Sequence, residues 1–335
     1  GGAIEGNSAE KNGGGVYAAG KFIMNGGRVS KNTCAYYGGG VYVVTTASFT
    51  MSDGVIGNNI NTSYYGGGVY NSGNFVMEAG SIEGNEVRGY GYSNGGGVYN
   101  AGTFTMSGGC IERNSIRQSS SMVKGYGNGG GIYHAGGKME IKDAAIAENV
   151  GGGVHINGGD THFENVMIVR NTGNRPALYI DGDGQFSATH CTINENVVGE
   201  NIVSVAGGSE ANVRTFEECT ISNNESTGMS YSNGNIIILK SSANVSFVNC
   251  RISENATKAD GGAATVYCEV ASLSMRDTQI EGNKSQGTGG VGGIRQSSGS
   301  SKITLENTVI TGNIADGSDT SCGGVCVTTG KFVLN

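Results

Sequence analysis

An apolar residue followed three positions later by Asn recurs along this chain in a regularly spaced series of twelve pairs. The pairs are Ile4 with Asn7, Val29 with Asn32, Ile56 with Asn59, Ile82 with Asn85, Ile111 with Asn114 and Ile146 with Asn149. They continue as Ile168 with Asn171, Ile193 with Asn196, Ile221 with Asn224, Ile252 with Asn255, Ile280 with Asn283 and Ile310 with Asn313. Successive pairs are 22 to 35 residues apart. Self-similarity at such a period means stacked copies of one small unit rather than an ordinary globular core.

Two further elements keep phase with the pairs. GGGVY or a variant of it stands at 13–17, 38–42, 66–70, 95–99, 129–133 and 151–155, and F-x-M at 22–24, 49–51, 75–77 and 104–106. Each unit thus holds three short stretches of alternating apolar residues between Gly and Asn turns, which is the pattern of strands. Helical repeats would be undermined by 62 Gly. Leu is too scarce for leucine-rich repeats, and propeller blades need a fourth strand. The reading left is an all-β fold, a right-handed single-stranded parallel β-helix of about 12 coils with three short strands per coil. Successive coils would stack about 4.8 Å apart. The repeated Asn is expected to bond the amides above and below and the turn backbone. Such coils stabilise one another and do not fold singly.

We expect one β-helix domain over 1–335, with regular GGGVY coils in 1–155 and divergent coils in 156–335. In the later coils 201–205, 235–239, 263–267 and 323–327 replace GGGVY. The chain starts in mid-repeat (GGAIEGN) and stops in mid-strand (KFVLN), so it reads as a piece of a longer protein. A hydrophobic fraction of 37% argues against disorder. Net charge is −7 with Lys and Arg scattered singly, which argues against nucleic acid and anionic membrane as partners. No apolar run is long enough for a helix to insert in a membrane within this segment.

There are 8 Cys, with no C-x-x-C and no His–Cys cluster, so a structural zinc site is not expected. Cys191, Cys219 and Cys250 each precede the repeat Ile by two positions and should stack in successive coils. Three thiols in one column cannot all pair, and a buried thiol ladder is the expectation.

The segment between each Asn and the next GGG varies most, holding 5, 5, 6, 9, 14 and 1 residues in turn. Insertions in a solenoid project from one edge, which is often its binding face. Tyr36, Tyr37, Tyr64, Tyr65, Tyr90, Tyr92, Tyr126 and Tyr231 lie in such loops among Ser, Gly and Asn. Tyr offers contact area at low entropic cost and a hydroxyl, so the first seven are candidate ligand-binding residues. The competing reading is that they shield the turns. A second column, Tyr17, Tyr42, Tyr70, Tyr99 and Tyr133, should line an outer face, either as a stripe for stacking sugars or as a ladder stabilising the sheet. Outward His155, Asn157, Tyr179, Asp181 and Asp183 form the best catalytic cluster, with His155, Asp181 and Asp183 its weak candidates. Asp181 and Asp183 are also a weak Ca²⁺ candidate. Asp160, His162 and Glu164 share a strand face. These sets are expected mainly to decorate solvent. Glu83 and Glu112 should stack on adjacent coils, offset by Arg88 and Arg113. No cofactor is expected.

GGGVYN-x-G-x-F-x-M-S-G-G-x-I-x-x-N at 95–114 resembles the repeats of bacterial right-handed β-helix surface proteins, adhesin-like proteins and relatives of the polymorphic outer membrane proteins. The F-x-x-C-x-I-x-x-N coils at 216–224 and 247–255 are similar to the same group. GGGV stands here where the polymorphic repeats carry GGAI, and F-x-x-N is scarce. The resemblance implies a non-enzymatic passenger, extracellular at the cell surface or secreted, that mediates adhesion to a glycan or a host or neighbour-cell protein. Two alternatives stand beside it: a polysaccharide lyase or glycosidase using the acidic and His cluster, and a structural protein that self-assembles laterally into filaments.

Overall fold

The computed structural model describes residues 1–89, 93–117, 127–209, 211–228, 234–317 and 321–335. Every regular element among them is a strand. The chain is a parallel β-helix, and its contacts divide it into two compact units, Gly1–Thr161 and His162–Asn335.

In the first unit the GGGVY segments form strands Val16–Ala18, Val41–Val43, Val69–Asn71, Val98–Asn100, Ile132–His134 and Val154–Ile156. Each pairs in parallel with the same position of the next coil, as Val69 with Val98 and Tyr70 with Tyr99. The F-x-M segments stack likewise, Phe49 on Phe75 and Phe75 on Phe104. Alternation sends every second side chain inward, so Val69, Phe75, Met77 and Ile82 are buried together in one coil. The same positions one coil later hold Val98, Phe104, Met106 and Ile111, also buried. Phe49, Phe75 and Phe104 stack at 4.7 and 4.8 Å, matching the rise per coil.

The Asn residues form the expected ladder. Asn85 Nδ2 donates to Asn114 Oδ1 at 3.0 Å and to the Ile56 carbonyl of the preceding coil at 2.8 Å. Its Oδ1 accepts from Asn59 N and Asn59 Nδ2 at 3.0 and 2.9 Å. Donors and acceptor are all used, which is what burial of an amide demands.

The three glycines of the repeat have separate causes, visible at 95–97. Gly95 sits at φ 69°, in the left-handed region that a Cβ penalises. A Cβ on Gly96 would collide with the Gly130 carbonyl of the next coil. On Gly97 it would lie 2.7 Å from the Gly131 carbonyl and 2.9 Å from Asn114 Nδ2. The glycine run and the Asn ladder are therefore one device, because the amide occupies the space that the third glycine leaves open.

The second unit repeats the plan with other residues. Strands Leu178–Ile180, Val203–Val205, Ile237–Leu239, Ala264–Cys268, Val291–Gln296 and Val325–Val327 take the GGGVY position. Where the first unit has glycines, Asn201 Oδ1 accepts from Asn235 N at 2.9 Å, and Asn235 Oδ1 accepts from Ala264 N at 2.8 Å. A second amide column thus satisfies the turn. Phe216 stacks on Phe247 at 4.8 Å, and the repeat ladder runs Asn196, Asn224, Asn255, Asn283.

Candidate functional site

In the first unit the outward residues of the GGGVY strands form an unbroken aromatic column. Tyr17, Tyr42, Tyr70, Tyr99, Tyr133 and His155 follow one another at 5.2, 5.3, 4.9, 5.2 and 4.8 Å between centroids, with interplanar angles of 5° to 28°. The rings face each other along the coil axis, so their faces are spent on stacking and only edges and hydroxyls point outward. The stripe is therefore an aromatic ladder and not a platform of free faces for sugars. Exposure falls along it from 57% at Tyr17 to 9% at Tyr133 and 6% at His155. His155 does not decorate solvent as alternation suggested; it is buried and extends the ladder.

The loop tyrosines divide into two tiers. Tyr37 lies 4.8 Å from Tyr70, and Tyr65 stacks on Tyr99 at 4.6 Å and 21°. Tyr37 and Tyr65 are themselves parallel at 5.8 Å and 9°. These two rings roof the ladder. Tyr36 and Tyr64 lean on these at a tilt, Tyr36 at 6.4 Å from Tyr37 and Tyr64 at 6.3 and 6.1 Å from Tyr37 and Tyr65. They are 41% and 45% exposed, with centroids 5.6 Å apart and planes tilted by 47°. Their faces are not consumed by parallel stacking. Tyr90, Tyr92, Tyr126 and Tyr231 lie outside the described residues.

Asn61, which sequence reasoning passed over, fixes this arrangement. Its Nδ2 donates to the Tyr36 and Tyr65 carbonyls at 2.7 and 2.9 Å, and its Oδ1 accepts from Ser63 N and Tyr64 N, both at 2.9 Å. An Asn that closes a turn on the backbone two and three residues on was the available signal. Burial holds the hydroxyls of Tyr65, Tyr70 and Tyr99 above the usual phenol range, so this roofed cluster is neutral.

In the second unit Tyr179 points outward between buried Leu178 and Ile180. Its hydroxyl pairs with the Asp181 carboxylate. Burial first, then the charges of Asp181 and Glu200, push it up to about 12. Arg175 lies 3.2 Å from Glu200, whose carboxyl burial lifts above its ordinary value. Arg214, unremarked in the sequence, is wholly buried on strand Val213–Glu217 at a position that its neighbour coil fills with Val245. Its guanidinium donates to the Gly182 and Asn212 carbonyls and faces the charges of Asp181 and Asp183. A Cβ on Gly208 would overlap it, so that glycine makes its room. The cation of the Asp181-Gly-Asp183 turn is thus the chain's own guanidinium. It would repel the Ca²⁺ that the sequence suggested there. His155 belongs to the first unit and the two aspartates to the second.

The other sets are placed as follows. His162 is exposed with Nδ1 2.7 Å from Ser187 Oγ, between inward Thr161 and Phe163. Glu83 and Glu112 are in register and both pair with Arg113, while Arg88 pairs with Glu86 instead. Cys191, Cys219 and Cys250 are buried and free, each within reach of the carbonyl two residues earlier at 3.3, 3.2 and 3.3 Å. Among the described residues no group of three or more His, Cys, Asp or Glu is placed to hold a metal ion, and no helix is long and apolar enough to cross a membrane.

A family model described as right handed beta helix region matches residues 176–333, inside the second unit. This likeness and the stacked parallel coils agree on a right-handed parallel β-helix. No curated protein and no solved structure gave a match.

Proposed function

We propose that this β-helix is an extracellular recognition protein, displayed at a surface or secreted, whose loop edge takes a glycan through Tyr36 and Tyr64. One observation carries the reading: two exposed rings 5.6 Å apart are held on a roof of packed tyrosines. Exposed aromatic area normally costs solubility, and here it is built on a pinned loop and a stacked base. Rings held in place lose little freedom on binding and present apolar faces beside hydroxyls, which suits the C–H faces of sugars.

The test is a glycan array probed with the wild-type chain and with a Tyr36→Ala, Tyr64→Ala double variant. Loss of binding in the variant, with its thermal unfolding unchanged, supports the reading. Equal binding by both proteins removes the edge from consideration. Lateral assembly of the glycan-inert wild type would favour a structural role.

A second reading rests on Glu200. A half-buried carboxyl above its usual range, near a Tyr–Asp pair, is the environment of a general acid acting on a glycosidic oxygen. New reducing ends from a polysaccharide panel that disappear with Glu200→Gln would favour it. No products from any member would set it aside.

A further inference from the structure

The first unit carries an open surface groove of about 490 Å³ bordered by Glu5, Arg28, Lys31, Val55, Gly57 and Glu83. Its origin is a missing side chain. One outward column runs Glu5, Ser30, Gly57, Glu83, Glu112 in strict register. Gly57 has no side chain there, and it and Ser30 are buried at the base of the notch. The walls, the rungs of Ser30 and Glu83, are two coil spacings apart, about 9.5 Å.

The fold does not require glycine at this rung. Gly57 is not among the glycines with positive φ. A Cβ on it would meet the half-buried Val55 Cγ1 at 3.0 Å, a tight contact that this side chain must relieve, and the Glu83 carbonyl and Cγ at 3.4 and 3.5 Å, which is ordinary contact. This contrasts with Gly95 and Gly97, where conformation or the Asn ladder forbids a side chain.

The two walls carry opposite charge. On one, Arg28 and Lys31 share a single carboxylate, Glu5, at 2.9 and 2.7 Å, leaving one positive charge over. Glu5 also borders the groove, so its carboxylate lies there with both cations. On the other wall, Glu83 and Glu112 share a single cation, Arg113, leaving one negative charge over. Glu148 adds to that negative field. The side chains of Arg28, Lys31 and Arg113 are 56%, 69% and 51% exposed, so the charges are reachable from solvent.

We propose that the Gly57 notch binds a small zwitterion of dipeptide size, its carboxylate on Arg28 and Lys31 and its ammonium on Glu83. An extended dipeptide spans about 7 Å between its charged ends, which fits between walls about 9.5 Å apart once side chains project inward. A purely anionic ligand would meet repulsion from Glu83, and a purely cationic one from Arg28 and Lys31. Exposed charges give weak, salt-sensitive binding, with Kd near ~1 mM. The site is separate from the tyrosine edge and stands or falls independently of it.

Calorimetric titration of the chain with dialanine, N-acetyl-dialanine and dialanine amide, at low and high salt, tests the assignment. Dialanine should bind, and losing either charge should weaken it by about tenfold or more. Gly57→Gln should abolish binding by filling the notch, with its thermal unfolding checked against wild type. Arg28→Gln, which leaves the notch open, should weaken dialanine without altering the fold. Failure of dialanine to bind, or equal binding by the acetylated peptide, overturns the proposal.

Discussion

Asn100 Nδ2 lies 2.9 Å from Nδ1 of His134, at one step of a polar column buried inside the first unit. Asn71 Nδ2 donates to Asn100 Oδ1 at 2.6 Å, so the order is Asn71, Asn100, His134, and the next inward position is Ile156. His134 stands where a third amide would serve, and its Nε2 has no partner.

Burial lowers the His134 imidazole to about 4. An unfolded imidazole titrates near ~6.5. As pH falls through that value the unfolded chain takes up a proton that the folded chain refuses, so stability is lost from about pH 6.5 down to about pH 4. The loss amounts to roughly 3 kcal/mol over the window. His134→Asn would continue the amide column and remove this contribution. Urea unfolding of both proteins at neutral and mildly acidic pH checks it: the variant should lose less stability on acidification, and parallel losses would refute the assignment.

Breaking the repeat ladder should cost more than breaking a surface contact. Asn85→Ala strands Asn59 N and Nδ2, which lose their acceptor at 3.0 and 2.9 Å, and leaves the Ile56 carbonyl without its donor. Three buried groups orphaned at about 1–3 kcal/mol each predict a loss of at least roughly 3 kcal/mol, although Asn59 Nδ2 keeps its second bond, to the Val29 carbonyl. Chemical denaturation of the variant measures it.

The architecture was legible because each repeat position has one physical job. Ile-x-x-Asn marks a buried apolar residue and a laddered amide, and Phe75 over Phe104 follows from the spacing alone. The loops were less legible. Alternation placed Tyr70 and Tyr99 outward correctly but said nothing of the rings above them, since Tyr37 and Tyr65 reach the column from a different part of the coil. Arg214 was hidden for the opposite reason. A charged residue at an inward position violates the pattern, and only Gly208 and the Gly182 carbonyl explain how it is housed.

Glycine substitutions should separate the two kinds of glycine. Gly97→Ala drives a methyl against Asn114 Nδ2 and the Gly131 carbonyl, at 2.9 and 2.7 Å before relaxation. Overpacking of this sort costs about 1–3 kcal/mol. Gly57→Ala meets only the Val55 side chain that closely, at 3.0 Å, and should be within about 0.5 kcal/mol of wild type. Thermal unfolding of the pair gives the comparison. Similar destabilisation by both would mean that Gly57 is needed for the strand.

The thiol column behaves as a set of hydroxyl equivalents. Cys250 Sγ reaches the Phe216 and Val248 carbonyls at 3.3 Å each, and in the next coil Thr278 Oγ1 reaches the Phe247 and Arg276 carbonyls at 3.4 and 3.0 Å. Thr308 repeats the pattern against Met275 and Glu306 at 3.2 and 3.1 Å. A residue that donates to the same two carbonyls should replace Cys219, so Cys219→Thr is expected to cost under about 1 kcal/mol. Cys219→Ala removes the donor and leaves a small void, for about 1–3 kcal/mol. Elsewhere burial pushes the Cys34 and Cys268 thiols up to about 11, which keeps them protonated and poor nucleophiles at pH 8. Native alkylation with iodoacetamide should therefore spare both, and burial should shield all three column thiols, until the chain unfolds. Rapid labelling of Cys219 in the folded protein, or greater stability of the Ala variant than the Thr variant, would remove the hydroxyl-like role.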